Sequence, residues 1–407
     1  MRDNYSKFYQ QTIVLVMLLA FLSSCEESKP KVLHQKNNLE TIEILVSENA
    51  LNKIVIKRNE ALKLGVLMTS KKDLVEGLIV FGDDTLPAKI RLKGDQTDHL
   101  ITKKWSLRVI LNNYSEKLKM KTFSLQHPAC SGYLYDWTFY QLIKPEGLIG
   151  LKLDFVNVNF NGVSNGIYAL EQHFDQSVLL QNNRLSGPIL KIDEDKYWEQ
   201  RKGGIAEKDK WKQLSNELYR KSKVKAFYKN EIAKELSKEG RDLLNNYRKE
   251  KIEIEKAFDI ELLAKFYALC EIYGTEHALV WRNRRFYYNP KIKLLEPVAY
   301  DANKIRPHKD SSLYLYKSEE LIPEVTEQLM LNNKFNKAYY SYLVQYSKPE
   351  FLDEFFVKMT PKMDSILTIL RKEYPNYVFP KTAIYQEQKN VRKILQQNKI
   401  LPSLEEK

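Results

Sequence analysis

The chain has 407 residues, 43% of them hydrophobic and 12% aromatic, with 65 Lys and Arg against 52 Asp and Glu for a net charge of +13. That composition supports one large bilobal core or two domains, and excludes a low-complexity or repeat architecture. The positive balance invites nucleic acid, but acids and bases intermix along residues 196–256 (NEIAKELSKEGRDLLNNYRKEKIEIEK is typical) as on a solvated helical surface. With no recognised module pattern either, nucleic acid is not an expected partner.

At the start of the chain, Arg2 and Lys7 precede an apolar run over 13–22, followed by Ser23, Ser24 and Cys25. The run is too short to span a bilayer comfortably and has the order of a secretion signal. Leu22-Ser23-Ser24-Cys25 looks like the lipobox of bacterial lipoproteins, so residues 1–25 read as a signal peptide with Cys25 as the lipidation site. This implies a membrane partner through the lipid anchor, and residence in the cell envelope, at the outer membrane or cell surface. Residues after Cys25 are rich in Lys, Glu, Ser and Asn and bury too little to fold, giving a tether over 26–43. Cys130 and Cys270 remain, too few for a disulfide framework and without zinc spacing, although one bridge between them stays open.

The next organised segment is Ala88-Lys89-Ile90-Arg91-Leu92-Lys93-Gly94, in which strand alternation sends Ile90 and Leu92 to one face and Arg91 and Lys93 to the other. Lys104-Trp105-Ser106-Leu107-Arg108-Val109 repeats the pattern. If the two strands pair, Arg91, Lys93, Lys104 and Arg108 share a face that calls for an anion or for carboxylates; an ordinary solvent-facing side is the alternative. Residues 135–144 have helical spacing before Pro145 and Gly147, and 154–160 and 166–170 form a hairpin around Asn161-Gly162.

From about His173 the pattern becomes helical, interrupted by a hairpin within 284–300. This gives an α+β chain with a β-rich first half, 44–172, and an α-rich second half, 173–400. Residues 274–301 read GTEHALVWRNRRFYYNPKIKLLEPVAYD, placing Asn283 and Asp301 at the two ends of the hairpin. An amide oxygen and a carboxylate suffice for Mg²⁺, which takes one or two protein groups plus water and phosphate oxygens. Further on, Ser347-Lys348-Pro349-Glu350 reads as a capping box, and Thr360-Pro361 as a second helix start. His99, His127 and His308 read as structural, since none has helical zinc spacing.

The segments PAKIRLKGD, KKWSLRVIL, FVNVNFNGVSNGIYALEQHF, GPILKIDED and NRRFYYNPKIKLLEPVAYD, in this order over 44–306, resemble the CotH kinase-like family, named for spore coat protein H. The resemblance implies a two-lobed, protein-kinase-like fold with a β-rich N-lobe and an α-rich C-lobe. It also implies Mg²⁺ and ATP as cofactors, and Mg-dependent transfer of a phosphoryl or nucleotidyl group to a hydroxyl of a protein substrate. On that basis Lys104, with Lys93 as the alternative, would meet the ATP phosphates alongside Arg91 and Arg108. Glu171 to His173 would lie near the adenine, and Asn283 and Asp301 would hold metal. The aspartate that precedes the asparagine in active members is missing from 274–280, leaving His277 or Glu276 as the group near the acceptor hydroxyl. The alternative is a catalytically degenerate surface lipoprotein that binds an acidic or phosphorylated ligand or serves as a scaffold.

Overall fold

Apolar alternation along three early segments buries Ile42, Ile44, Ile79 and Ile90 completely on one side of a sheet that curls and closes on itself. The computed structural model describes residues 39–202, 208–227, 231–308, 312–317 and 328–400. The proposed signal peptide, Cys25 and most of the tether lie outside them.

The strands are β1 (Thr41–Leu45), β2 (Val75–Phe81), β3 (Asp84–Leu92), β4 (Leu107–Ser115), β5 (Met120–Gln126), β6 (Leu153–Phe160) and β7 (Val163–Gln172). They form a seven-stranded closed barrel in the order β1-β2-β3-β4-β5-β7-β6. All neighbours are antiparallel except the closing pair, β1 with β6, where Ile44 lies opposite Phe160. Closure pairs every strand on both sides and removes the sheet edges. The Asn161-Gly162 turn takes left-handed φ values of 48° and 80°, as a tight hairpin requires. Helix α1 (Glu48–Leu64), capped by the Ser47 hydroxyl accepting from the Ala50 amide, adds Ile54 and Ala61 to the barrel core.

A second hydrophobic cluster gathers around α2 (Tyr135–Ile143) and the chain beyond it. Here β8 (Ile189–Ile192), β9 (Val224–Ala226), β10 (Arg285–Asn289) and β11 (Leu294–Val298) form a four-stranded sheet in the order β11-β10-β8-β9. The longer helices are α3 (Lys208–Lys221), α4 (Glu231–Arg248), α5 (Ile260–Tyr273), α6 (Asn333–Tyr346), α7 (Pro349–Arg371) and α8 (Lys381–Gln397). Residues Leu39–Lys407 cluster as one compact unit.

The expectation of a kinase-like, two-lobed fold is overturned by this architecture. The chain is mixed α+β, but its first half is a closed barrel, because β1 supplies a parallel partner to β6. The later hairpin is likewise not an insertion among helices, since β8 and β9 extend it into a sheet. Two smaller expectations also change. Ser347 ends α6, while α7 starts with Pro349 at its first position; Pro361 lies inside α7, where the Thr360 hydroxyl donates to the Phe356 carbonyl (2.6 Å). Cys130 and Cys270 are both free thiols.

One buried ionic cluster ties the segment after β11 to the helices. His308 Nε2 lies 2.7 Å from Glu271 Oε2 on α5, and Nδ1 2.5 Å from Glu387 Oε2 on α8. Glu271 also accepts from the amides of Tyr314 and Leu315 and from the Tyr339 hydroxyl, and the Tyr314 ring stacks on the imidazole at 4.2 Å. Burial alone would lower the imidazole pKa, but hydrogen bonds and charge from Glu271 and Glu387 raise it to about 9. A raised folded-state pKa contributes stability that is complete below the free-imidazole value of about 6.5 and disappears as pH rises through about 9. Urea unfolding between these limits is therefore expected to show wild type losing up to roughly 3 kcal/mol, with a flatter profile for His308→Gln. Parallel profiles would remove His308 as the cause.

Candidate functional site

The barrel strands β3, β4, β5 and β7, the start of α2 and the turns flanking β10 and β11 surround a polar cavity of about 310 Å³. Its lining unites Arg91, Lys93, Arg108 and Glu171 with His277, Asn283 and Asp301. Each is delivered by a local device. On β3 and β4, Arg91 lies directly opposite Arg108, and the ladder extends to a bond from the Lys93 amide to the Ser106 carbonyl (2.8 Å). Helix α5 ends at Gly274 with φ 77°, which turns the chain into the short helix Glu276–Leu279; a Cβ at Gly274 would meet Glu387 and Ile305 below 3 Å. Asp301 follows β11 in a left-handed conformation (φ 56°), one that Asp tolerates better than most residues.

The cationic wall is buried and only partly satisfied. Lys93 Nζ donates to Gln126 Oε1 (2.5 Å) and to Glu171 Oε2 (3.3 Å). Burial acts to lower Lys93, but Glu171, Tyr300 and Asp301 outweigh it and hold the ammonium above the ordinary lysine value. Arg91 donates to the Thr69 hydroxyl (2.6 Å) and the Leu92 carbonyl (2.8 Å). Arg108 differs: it is 8% exposed, its Nε and Nη1 are buried without a hydrogen-bond partner, and burial is the first cause of its fall to about 10. Leaving such donors unmade costs about 1–3 kcal/mol each, so a fold retains them where a ligand completes them. Arg285 adds another buried, unpartnered Nε. His173 is pushed well down by burial and by Arg108, Lys93 and Arg91, which keeps it neutral among the cations.

The segments flanking β10 and β11 bring acceptors to the cavity as well as the cations Arg282, Arg285 and Lys304. His277 Nδ1 lies 2.8 Å from the Asp301 carbonyl oxygen and 3.0 Å from the Asn283 amide nitrogen; the carbonyl can only accept, so an Nδ1–H directed at it leaves Nε2 as the acceptor of the ring. The Asn283 amide donates to the His277 carbonyl (2.9 Å), which assigns the amide nitrogen and leaves Oδ1 as acceptor. Asp301 Oδ2 is 3.4 Å from His277 Nδ1, and Oδ1 accepts from the Asn303 amide (2.8 Å). Buried oxygens of Asp136 (Oδ1) and Asn303 (Oδ1) lack donors. The Asp136 carboxyl is raised well above the usual range by burial, then by Asp301 and Glu171. Among the described residues no cluster of three or more His, Cys, Asp or Glu is arranged to hold a metal. Mg²⁺ does not need one, and an amide oxygen with a carboxylate around one imidazole matches its sparse donor demand.

Two residues named from sequence lie elsewhere. Lys104 precedes β4, which begins at Leu107, so it is not on the Arg91–Arg108 ladder. It pairs with Glu373, donates to the Ile167 carbonyl (2.8 Å), and does not line the cavity. Glu276 is engaged by Arg306 (3.2 Å) and is also absent from the lining. Conversely, sequence reasoning passed over Asp136, Asn303 and Arg285, all of which line the cavity. Only Arg285 had a readable signal, a charge at the start of an aromatic strand; Asp136 sits among apolar helix residues and looks like any first-turn acid.

The sequence matches no model of a known protein family, and no curated protein is similar to it.

Proposed function

We propose that this chain is a Mg²⁺-dependent phosphotransferase held at the cell envelope by a lipid on Cys25, moving a phosphoryl or nucleotidyl group to a hydroxyl of a protein. The observation that carries the reading is the unsatisfied Arg108 guanidinium, which lines the same cavity as Lys93 and the acceptors Asn283 and Asp301. The resemblance to the CotH kinase-like family points to the same chemistry and to ATP as donor. It does so through short motifs, and the barrel gives it no support from overall fold.

Phosphoryl transfer asks little covalent chemistry of a protein and depends on positioning and charge stabilisation. Here Lys93, held charged by Glu171, and Arg108 bind the phosphate oxygens, with Arg91 opposite Arg108 on the ladder adding to the cationic charge. Asn283 and Asp301 would hold Mg²⁺, which when bound neutralises charge on the phosphate. His277 offers Nε2 to the proton of the acceptor hydroxyl, because its Nδ1–H is committed to the Asp301 carbonyl. The cavity stands at the small end of ligand pockets, which fits a phosphate group better than an entire nucleotide and puts the rest of the donor toward its mouth.

The test is transfer of labelled phosphate from γ-labelled ATP with Mg²⁺ to the chain itself or to envelope proteins. Asp301→Asn is expected to reduce labelling by at least about a hundredfold, as losing one preorganised electrostatic group does. His277→Gln should reduce it about 10²–10⁴-fold, the range for a general base. Equal labelling by wild type and Asp301→Asn would refute catalysis at this site. A second reading, a binding protein without turnover, rests on the same Arg108 donors: inorganic phosphate would then raise the melting temperature without Mg²⁺, and no label would transfer.

A further inference from the structure

A groove of about 780 Å³ lies where the C-terminal ends of α3 and α4 meet the strand β9. Of its ten lining residues six are basic, Arg220, Lys221, Lys223, Arg241, Arg248 and Lys249, against a single acid, Glu250. None of these ten residues lines the phosphotransfer cavity. We infer that this groove binds the phosphate groups of an anionic phospholipid surface, and so seats the folded unit against the membrane that its lipid tethers it to.

The six cations do not all have the same task. Arg248 is structural: it donates to the carbonyls of Tyr219 and Ser222 and lies over the Tyr219 ring at 4.7 Å, closing the end of α3. Lys221 pairs with Glu217 one turn back. Lys223, Arg241 and Lys249 make no side-chain ion pair with any described residue, and Lys223 and Lys249 are exposed. Neighbouring lysines on the same elements do have a carboxylate at hand, Lys225 of β9 with Asp193 and Asp195, and Lys238 of α4 with Asp242. Cations converging on one concavity without countercharges raise the local potential and concentrate anions there.

The lining also argues which anion. It contains no aromatic residue, so it offers nothing for bases to stack on, whereas single-stranded nucleic acid is gripped by aromatic platforms as well as charge. Clustered basic residues are attracted to anionic headgroups, each cation adding to the attraction and salt screening it. No residue of the groove belongs to the proposed reaction, so the inference is independent of catalysis and rests only on the proposed lipid anchor at Cys25.

Vesicle co-sedimentation of the chain from residue 26 onward, which carries neither the apolar run 13–22 nor a lipid, provides the test. Vesicles of phosphatidylcholine with phosphatidylglycerol are compared with phosphatidylcholine alone, and wild-type groove with Lys223→Glu/Arg241→Glu/Lys249→Glu. The expected result is binding to the anionic vesicles only, lost at high salt, with at least a tenfold weaker association for the triple variant. A second variant, Lys223→Gln/Lys249→Gln, changes exposed side chains alone and should give an intermediate loss. Equal binding of wild type and both variants, or equal binding to neutral vesicles, would overturn the proposal. Stabilisation by tripolyphosphate without vesicle binding would also overturn it, since the groove would then serve a soluble phosphate.

Discussion

Arg108→Met is expected to make the protein more stable while removing its response to phosphate. The guanidinium is buried against Arg91 with two nitrogens unpaired, so an apolar side chain of similar length sheds the cost of those donors and the like-charge contact. Replacing poorly compensated buried charge by well-packed apolar groups commonly yields about 1–4 kcal/mol, and the gain here should fall in that range. At the same time, inorganic phosphate should raise the melting temperature of wild type and leave that of Arg108→Met unchanged. Such opposite movement of stability and binding marks a group retained for a ligand. If the variant were less stable and still gained from phosphate, Arg108 would be part of the scaffold and the binding site would lie elsewhere.

The second large effect concerns Lys93 and Glu171, whose side chains are paired at 3.3 Å in the barrel wall with almost no solvent contact. Lys93→Met leaves the Glu171 carboxylate buried without its cation, and Gln126 without its donor. Breaking one side of a buried pair in this way costs about 3–5 kcal/mol. Lys93→Met/Glu171→Met, by contrast, should recover most of that loss, because neither charge remains to be desolvated. Denaturant unfolding of the two single variants and the double would give a coupling energy above about 2 kcal/mol if the pair acts as a unit. Additive losses would mean that each group is stabilised by other neighbours. The double variant also separates roles: it should fold and yet fail to transfer phosphate, because the ammonium that meets the donor is gone.

Much of the site was readable where it depends on short-range pattern. Alternation around Arg91 and Arg108 predicted two facing cationic strands, and the structure pairs those two residues directly. The aromatic run 285–289 and the turn at Asn289 and Pro290 predicted the hairpin that holds Asn283 and Asp301 at its two ends. Lys104 shows the limit of such reading. Its spacing to Arg108 suits the same strand face, but the strand starts at Leu107, and a glutamate more than 250 positions later, Glu373, takes the ammonium away. Lys93 could be told from Lys104 only by that distant partner and by Glu171, which joins it across β7.

What residue order alone determined is local: where strands run and turn, which face of each is charged, and that an amide and an acid flank one hairpin. Those properties arise from steric and hydrogen-bonding preferences over a few neighbouring residues. Tertiary structure decided the rest, namely that β1 and β6 close a barrel, that Lys93 and Arg108 face the His277 turn, and that Asp136 is buried beside them. Each of these depends on contacts between residues far apart in the chain, where the energy comes from burying surface that no short window can assign.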